Sequence, residues 1–146
     1  MKYILTLNSS VLLVVIFVML GSCKAQKQNK MNSEKLMAQD YIITQLGDKE
    51  ISKSKLTLKV TPENSTLSGF SGCNSFSFNY ELKNGILDLG FARATKIYCE
   101  EGMDLENLFF QKAASVTQFE NSAEALHLKN KSGDIVIKAK TKAQRE

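Results

Sequence analysis

Tryptophan is absent from this chain of 146 residues, which also has one proline, one histidine and three cysteines. With only His127, a zinc site would have to use cysteines and would still need a carboxylate ligand. The stretch Gly69-Phe-Ser-Gly-Cys73 resembles a nucleophile elbow, but cysteine replaces its last glycine, and the elbow needs a histidine base. His127 lies on an alternating segment and is expected to face solvent. We therefore expect no catalytic residue, no metal site and no cofactor, although a Cys-His pair would be the alternative to test.

The chain has one strongly apolar run, residues 11–20, near its N-terminus. Ten residues suit the hydrophobic region of a signal peptide, whereas spanning a bilayer takes roughly 17 to 25. The run ends in Leu20-Gly-Ser-Cys23, which resembles a bacterial lipobox. This pattern predicts a signal peptide over residues 1–22 and a lipid anchor on Cys23, and thus attachment to a membrane. An uncleaved membrane helix and plain secretion after cleavage near Ala25 are the alternatives.

Positive charge is concentrated at the two ends of the chain, whose formal net charge is +4. The basic side chains of residues 24–53 and 138–145 are not interleaved with aromatic ones, so we expect no nucleic-acid partner. They are interpreted as solvated, with attraction to anionic lipid headgroups as the alternative. Lys24 follows Cys23 where an acidic residue would favour inner-membrane retention in enteric bacteria. We therefore expect a lipid-anchored envelope protein of the outer membrane, on its periplasmic or surface face.

The remaining chain is expected to form one domain. Residues 24–35 are polar and lack periodicity, which is typical of a flexible linker. We predict a lipidated tether over residues 23–39, a domain over residues 40–140 and a polar tail over residues 141–146. About 100 residues are enough for a domain that buries roughly 60 to 70% of its unfolded surface.

Alternating apolar residues predict antiparallel strands with one buried face. The clearest is residues 56–61, where Leu56, Leu58 and Val60 share a face. Residues 75–82 and 86–91 alternate in the same way around Asn84-Gly85, a dipeptide that favours a tight hairpin turn. This pattern places Leu87, Leu89 and Phe91 in the core. The other predicted strands cover residues 41–46, 66–70, 116–119, 125–129 and 134–138.

One helix is predicted to interrupt the strands. Asp104 can cap its N-terminus, and the residues at helical spacing after it are Leu105, Leu108, Phe109, Lys112 and Val116. The acidic cluster Glu100, Glu101 and Asp104 is interpreted as complementing the helix dipole, with a weak cation site as the alternative. The whole pattern predicts a mostly β (α+β) domain, a small antiparallel β-barrel-like sheet with the helix inserted before the last three strands.

Cys73 and Cys99 are separated by 26 positions. An export compartment permits a disulfide between them, which the loop-entropy model values at roughly 3 to 4 kcal/mol. Two buried free thiols and a pair of reactive or metal-bound thiols are the alternatives that the residues leave open.

Several of these stretches together resemble the META domain, the HslJ-like family of heat-shock-associated bacterial lipoproteins. They are Ser68–Phe76, Asn84-Gly85, Leu87–Gly90, Ala94–Cys99 and a helix with Glu106–Phe109. The chain departs from the family where Tyr41 stands in place of a tryptophan. It also has Lys96-Ile97-Tyr98 where Arg-Met or Lys-Met is frequent.

The resemblance implies a small mixed β-barrel-like fold without an established enzymatic activity. It implies a role in stress response and envelope integrity, exerted by binding a protein partner. The family's fold is similar to that of secretion pilot lipoproteins, which bind a partner's peptide or lipid. The alternative is a lipid or small apolar ligand inside an imperfectly closed barrel. The matched positions, interpreted as structural, are Gly72, Cys73, Asn74, Thr95 and Cys99. Asn74 is expected to bond neighbouring backbone, and Thr95 to anchor the chain below the start of the helix.

Overall fold

A computed structural model describes residues 33–53 and 55–142 of the chain. Ten strands and one α-helix follow one another in these ranges: β1 (Gln39–Leu46), β2 (Lys49–Glu50), β3 (Thr57–Thr61), β4 (Thr66–Phe70), β5 (Ser75–Lys83), β6 (Ile86–Leu89), β7 (Arg93–Ala94), α1 (Met103–Ala113), β8 (Gln118–Asn121), β9 (Ala125–Lys129) and β10 (Ile135–Thr141). The predicted signal peptide and lipid anchor Cys23 lie outside the described residues. No helix within the described ranges is both long and apolar enough to span a membrane.

Eight of the strands form one antiparallel sheet that curls into a nearly closed barrel. Their order is β6-β5-β4-β3-β1-β10-β9-β8, while β2 pairs with β1 and β7 pairs with β5. The first and last strands meet where the Leu87 amide donates a 2.8 Å hydrogen bond to the carbonyl oxygen of Thr117. The predicted mostly β, barrel-like fold with one helix before the last three strands is therefore confirmed.

Apolar side chains at alternate strand positions fill the barrel interior, as the sequence predicts. Leu56, Leu58 and Val60 are all buried, and so are Phe76 and Phe78 on β5. The rings of Phe76 and Phe78 pack with Phe109 of α1, and the centroids of Phe76 and Phe109 are 4.6 Å apart. The helix thus contributes aromatic rings that fill part of the barrel interior. At the predicted hairpin, Asn84 and Gly85 both have positive φ, as a tight two-residue turn requires.

The prediction that Phe91 lies in the core is wrong, since this residue is 99% exposed. Leu89 lies opposite Tyr80 of β5, and Arg93 lies opposite Ser77. Four positions separate Leu89 from Arg93, but only three separate Tyr80 from Ser77 on the antiparallel partner. The strand that contains β6 and β7 therefore carries one extra residue, a β-bulge. A one-residue shift moves the following side chains to the other face of the sheet. The bulge explains why alternation from Leu87 and Leu89 does not continue to Phe91.

The helix begins two residues earlier than predicted, at Met103 rather than Leu105, and uses a different cap. Gly102 occupies the cap position and makes no side-chain bond, so Asp104 lies in the first turn instead. There its charge still complements the helix dipole. The buried face consists of Glu106, Phe109 and Ala113, and Val116 is buried beyond the helix end. The predicted stripe was therefore rotated, because it omitted Glu106.

The folded part extends beyond the predicted domain limits at both ends. Leu36 is 1% exposed and belongs to the core. The Met37 amide donates to Asn121 Oδ1 at 2.8 Å, and Asn121 Nδ2 donates to the Lys35 carbonyl at 3.1 Å. At the other end, β10 continues to Thr141. The predicted tether over residues 23–39 and tail from residue 141 are wrong in these residues, which pack on the sheet.

Candidate functional site

The most exposed part of the described chain is the connection between β6 and α1. All nine residues from 90 to 98, which we call the exposed segment, are exposed, and this is the longest such run within residues 33–53 and 55–142. It carries three large apolar side chains, since Phe91, Tyr98 and Ile97 are 99%, 82% and 61% exposed. Its two charged residues, Arg93 and Lys96, are both cationic.

A disulfide attaches the C-terminal end of the exposed segment to the domain. Cys73 and Cys99 are bonded, with 5.8 Å between their α-carbons. The pairing resolves the alternatives that the sequence left open, since disulfide-bonded sulfurs are neither free nor metal-bound thiols. Cys73 is buried in the turn between β4 and β5, so the bond joins the segment to a fixed part of the sheet.

Asn74 holds the same segment by hydrogen bonds. Its Oδ1 accepts from the Ile97 amide at 2.8 Å and from the Thr95 hydroxyl at 2.7 Å. Its Nδ2 donates to the Ile97 carbonyl at 3.1 Å and to Glu106 Oε1 at 2.9 Å. Asn74 is 3% exposed, so one buried amide satisfies both backbone groups of an exposed residue. Thr95 therefore serves as a hydrogen-bonding anchor as predicted, whereas the Asn74 side chain bonds the backbone of Ile97, 23 positions away, rather than the neighbouring backbone that was expected.

Glu106 is the residue of this cluster that the sequence reasoning missed. It is 7% exposed, and its Oε2 accepts bonds from the Ser71 hydroxyl and from the Asn74 amide, the latter at 2.8 Å. Burial raises the pKa of the Glu106 carboxyl, but the bonds from Ser71 and Asn74 outweigh burial and hold the pKa below its usual value. The available signal was its position three residues before Phe109, which places a carboxylate on the buried face of the helix.

Two glycines allow the turn and the helix start to approach closely. A β-carbon on Gly102 would lie 2.9 Å from the Gly72 carbonyl oxygen and 3.2 Å from the Cys73 β-carbon. Gly72 also has φ +106, a conformation that side chains rarely adopt. The structure therefore brings together all five predicted motif positions, Gly72, Cys73, Asn74, Thr95 and Cys99, and adds Ser71, Gly102 and Glu106.

His127 lies apart from this cluster. It is half-buried on β9 rather than solvent-facing as predicted, between Glu120 of β8 and Lys138 of β10. Burial first, and then the charge of Lys138, lowers its pKa. No group of three or more histidine, cysteine or acidic residues suited to a metal occurs in the described ranges.

The cluster has the geometry of an anchor. Ser71 is fully buried and Glu106 nearly so, and their polar atoms are used in bonds within the cluster. What this arrangement does chemically is to fix Thr95, Ile97 and Cys99 while leaving the side chains of Phe91, Ile97 and Tyr98 outside. The candidate functional surface is therefore the exposed segment, and the buried motif is its support.

This chain is similar to two solved structures and matches one family model. Two solved structures are similar: an NMR structure of a protein from Burkholderia xenovorans, at 22% identity and TM-score 0.56, and a second NMR structure at 20% identity and TM-score 0.55. The alignments cover 75% and 76% of this chain, and 85% and 95% of those chains. No curated protein matches. A family model, the META domain, matches residues 34–143. The chain therefore belongs to the META-domain family.

Proposed function

We propose that this protein is a non-catalytic, lipid-anchored envelope protein that acts by binding a protein partner through the exposed segment. The observation that carries the proposal is the exposure of Phe91, Ile97 and Tyr98 in a segment whose backbone is fixed from below. Exposed apolar side chains grouped in one segment favour an interaction site.

The composition of the segment fits a protein interface. Aromatic residues and arginine are enriched at such interfaces, and the segment has Phe91, Tyr98 and Arg93. Binding costs conformational entropy when a loop must be ordered. Here the disulfide and the bonds of Asn74 order the segment in advance, so less of the binding free energy is spent on ordering it.

The location in this proposal rests on the N-terminal sequence. A lipobox-like Leu20–Cys23 after a short apolar run supports acylation of Cys23, and Lys24 supports the outer membrane. Membership of the META family supports an association with stress response and envelope integrity. The alternative ligand, a lipid inside the barrel, would have to displace the packed rings of Phe76, Phe78 and Phe109, which weighs against it.

The test is site-specific photocrosslinking in intact cells. A photoreactive amino acid is placed at Phe91 or Tyr98, and, as control, at Lys131 in the exposed turn before β10. We expect one protein to crosslink through both segment positions and not through Lys131. Crosslinks to lipid alone, or equal protein crosslinking at Lys131, would contradict the proposal. A lipid extracted with the purified protein would support the alternative.

A further inference from the structure

Backbone groups of the exposed segment alternate between bonded and unbonded. The Thr95 amide donates to the Ser75 carbonyl at 3.1 Å, and the Ile97 amide donates to Asn74 Oδ1 at 2.8 Å. Both bonds point toward β5 and the turn before it. Since consecutive residues of an extended chain point their amides to opposite sides, the amides of Ala94 and Lys96 point away from β5.

This outer edge has no neighbour among the described residues. β7 pairs with β5 alone, and neither Ala94 nor Lys96 has a backbone hydrogen bond on the outer side within residues 33–53 and 55–142. The barrel closes instead at Leu87 and Thr117, on the other side of the bulge. An edge with free donors and acceptors is a template for another strand.

We propose that the partner of this protein presents an extended peptide that adds to the sheet along the outer edge of β7. The inference rests on the proposed function and specifies its binding mode. The peptide's backbone pairs with the amides and carbonyls of Ala94 and Lys96, as in known cases of β-strand addition. If the peptide pairs from Arg93 to Ile97, it contributes about five residues, or roughly 16 Å of strand.

Charge and side chains indicate the chemistry of the peptide. The segment has two cations, Arg93 and Lys96, and no acidic residue, so acidic side chains on the peptide are complementary. Ile97 and Tyr98 offer exposed apolar contacts at the end of the same edge. A strand alternates its side chains between two faces, so Arg93 and Ile97 share one face and Lys96 and Tyr98 share the other. The matching peptide is therefore acidic at the end that lies opposite Arg93 and apolar at the end that lies opposite Ile97 and Tyr98.

The length of the edge favours a peptide over the edge of another folded sheet. β7 itself has two residues, and the bulge with Phe91 precedes it, so a long flat strand could not stay in register beyond it. Short, bulged and cationic edges are protected against sheet-to-sheet aggregation. A flexible extended segment can pair with the few free groups and stop there.

The test uses the full lipidated chain in bilayer nanodiscs and a displayed library of random eight-residue peptides. We expect enriched peptides to be acidic toward one end and apolar toward the other. In hydrogen exchange read by mass spectrometry, bound peptide should slow exchange of the Ala94 and Lys96 amides at least tenfold. The same peptide N-methylated at alternate residues should bind at least tenfold more weakly, since it lacks the donors. Equal binding of the methylated peptide, or no added protection at these amides, would overturn the inference.

Two substitutions at one position provide a matched pair on the protein side. Ala94→Pro removes the outward amide without removing a bond to β5, and proline is tolerated on an edge with its nitrogen facing solvent. Ala94→Val keeps the amide. We expect at least tenfold weaker peptide binding for Ala94→Pro and less than a twofold change for Ala94→Val. If Ala94→Pro does not fold, the methylated peptide decides the question alone.

The cellular crosslink separates this inference from the proposed function. A partner that is lost on Phe91→Ser with Tyr98→Ser, but retained on Ala94→Pro, would leave the proposed function standing and overturn strand addition. A partner retained in all of these variants would overturn both. Loss on Ala94→Pro but not on Ala94→Val is the result that strand addition predicts.

Discussion

Replacing Glu106 by glutamine tests the buried anchor most sharply. The carboxylate accepts bonds from the Ser71 hydroxyl, the Asn74 amide and Asn74 Nδ2. Glutamine has a single acceptor oxygen, and its amide would face another donor, Asn74 Nδ2, across 2.9 Å. A hydrogen bond to a charged group contributes about 1.5 to 3 kcal/mol, and an unsatisfied buried donor adds a cost. Glu106→Gln should therefore lower the free energy of unfolding by about 3 kcal/mol.

The contribution of Glu106 to stability should decrease as the pH falls. Because the folded state lowers the pKa of Glu106, its contribution is fully present above the unfolded pKa and is lost as pH falls through the folded one. The free energies of unfolding of wild type and Glu106→Gln, measured by urea denaturation, should therefore differ most near pH 7 and converge in acid. Glu101→Gln, at an exposed position just before the helix, is the control and should change stability by less than about 0.5 kcal/mol. An equally small effect of Glu106→Gln, or a difference that persists unchanged to pH 2, would refute the reasoning.

Three further predictions concern the disulfide, a glycine and the bulge. Cys73→Ser with Cys99→Ser should lower the free energy of unfolding by about 3 to 4 kcal/mol in urea denaturation. An unchanged midpoint would contradict this. Gly69→Ala should destabilise the domain by roughly 3 kcal/mol, since its β-carbon would lie 2.0 Å from a carbonyl oxygen of β3. A soluble variant with wild-type thermal stability would be incompatible with that contact. Leu87→Ala should cost about 2 to 5 kcal/mol and Phe91→Ala less than about 0.5 kcal/mol. Equal losses would mean that Phe91 is buried.

The parts of the fold that follow a simple period were predictable. Leu56, Leu58 and Val60 alternate in sequence and line one face of a strand, and Asn84-Gly85 forms the turn that its backbone freedom favours. These features depend on residues within a few positions of one another. Local pattern is therefore enough to predict them.

The missed features depend on contacts between distant residues. The bulge that exposes Phe91 is set by pairing between β6, β7 and β5. Gly90 was the available sequence signal, since glycine in a strand often marks a bulge. Leu36 is buried because Asn121, 85 positions later, holds the backbone beside it. Glu106 was named only within the helix stretch that resembles the family, and its burial was not predicted, because Ser71 and Asn74, which satisfy it in the interior, are more than 30 positions away.

The motif positions show a similar division. The resemblance to a family predicted which five residues belong together, and the structure confirms that Gly72, Cys73, Asn74, Thr95 and Cys99 do. It could not predict what they support. That follows from the direction of the bonds, which leave Phe91, Ile97 and Tyr98 exposed.

Hydrogen exchange of the free protein, resolved by residue, tests most directly the claim that the exposed segment is fixed on one side and open on the other. We predict slow exchange at the bonded amides of Thr95 and Ile97, by about 100-fold or more relative to an unfolded chain. The alternate amides, those of Ala94 and Lys96, should be nearly unprotected. Uniformly fast exchange at all four amides would mean a mobile loop without a preformed edge, and uniformly slow exchange would mean that the edge is already covered. Either result would contradict the account.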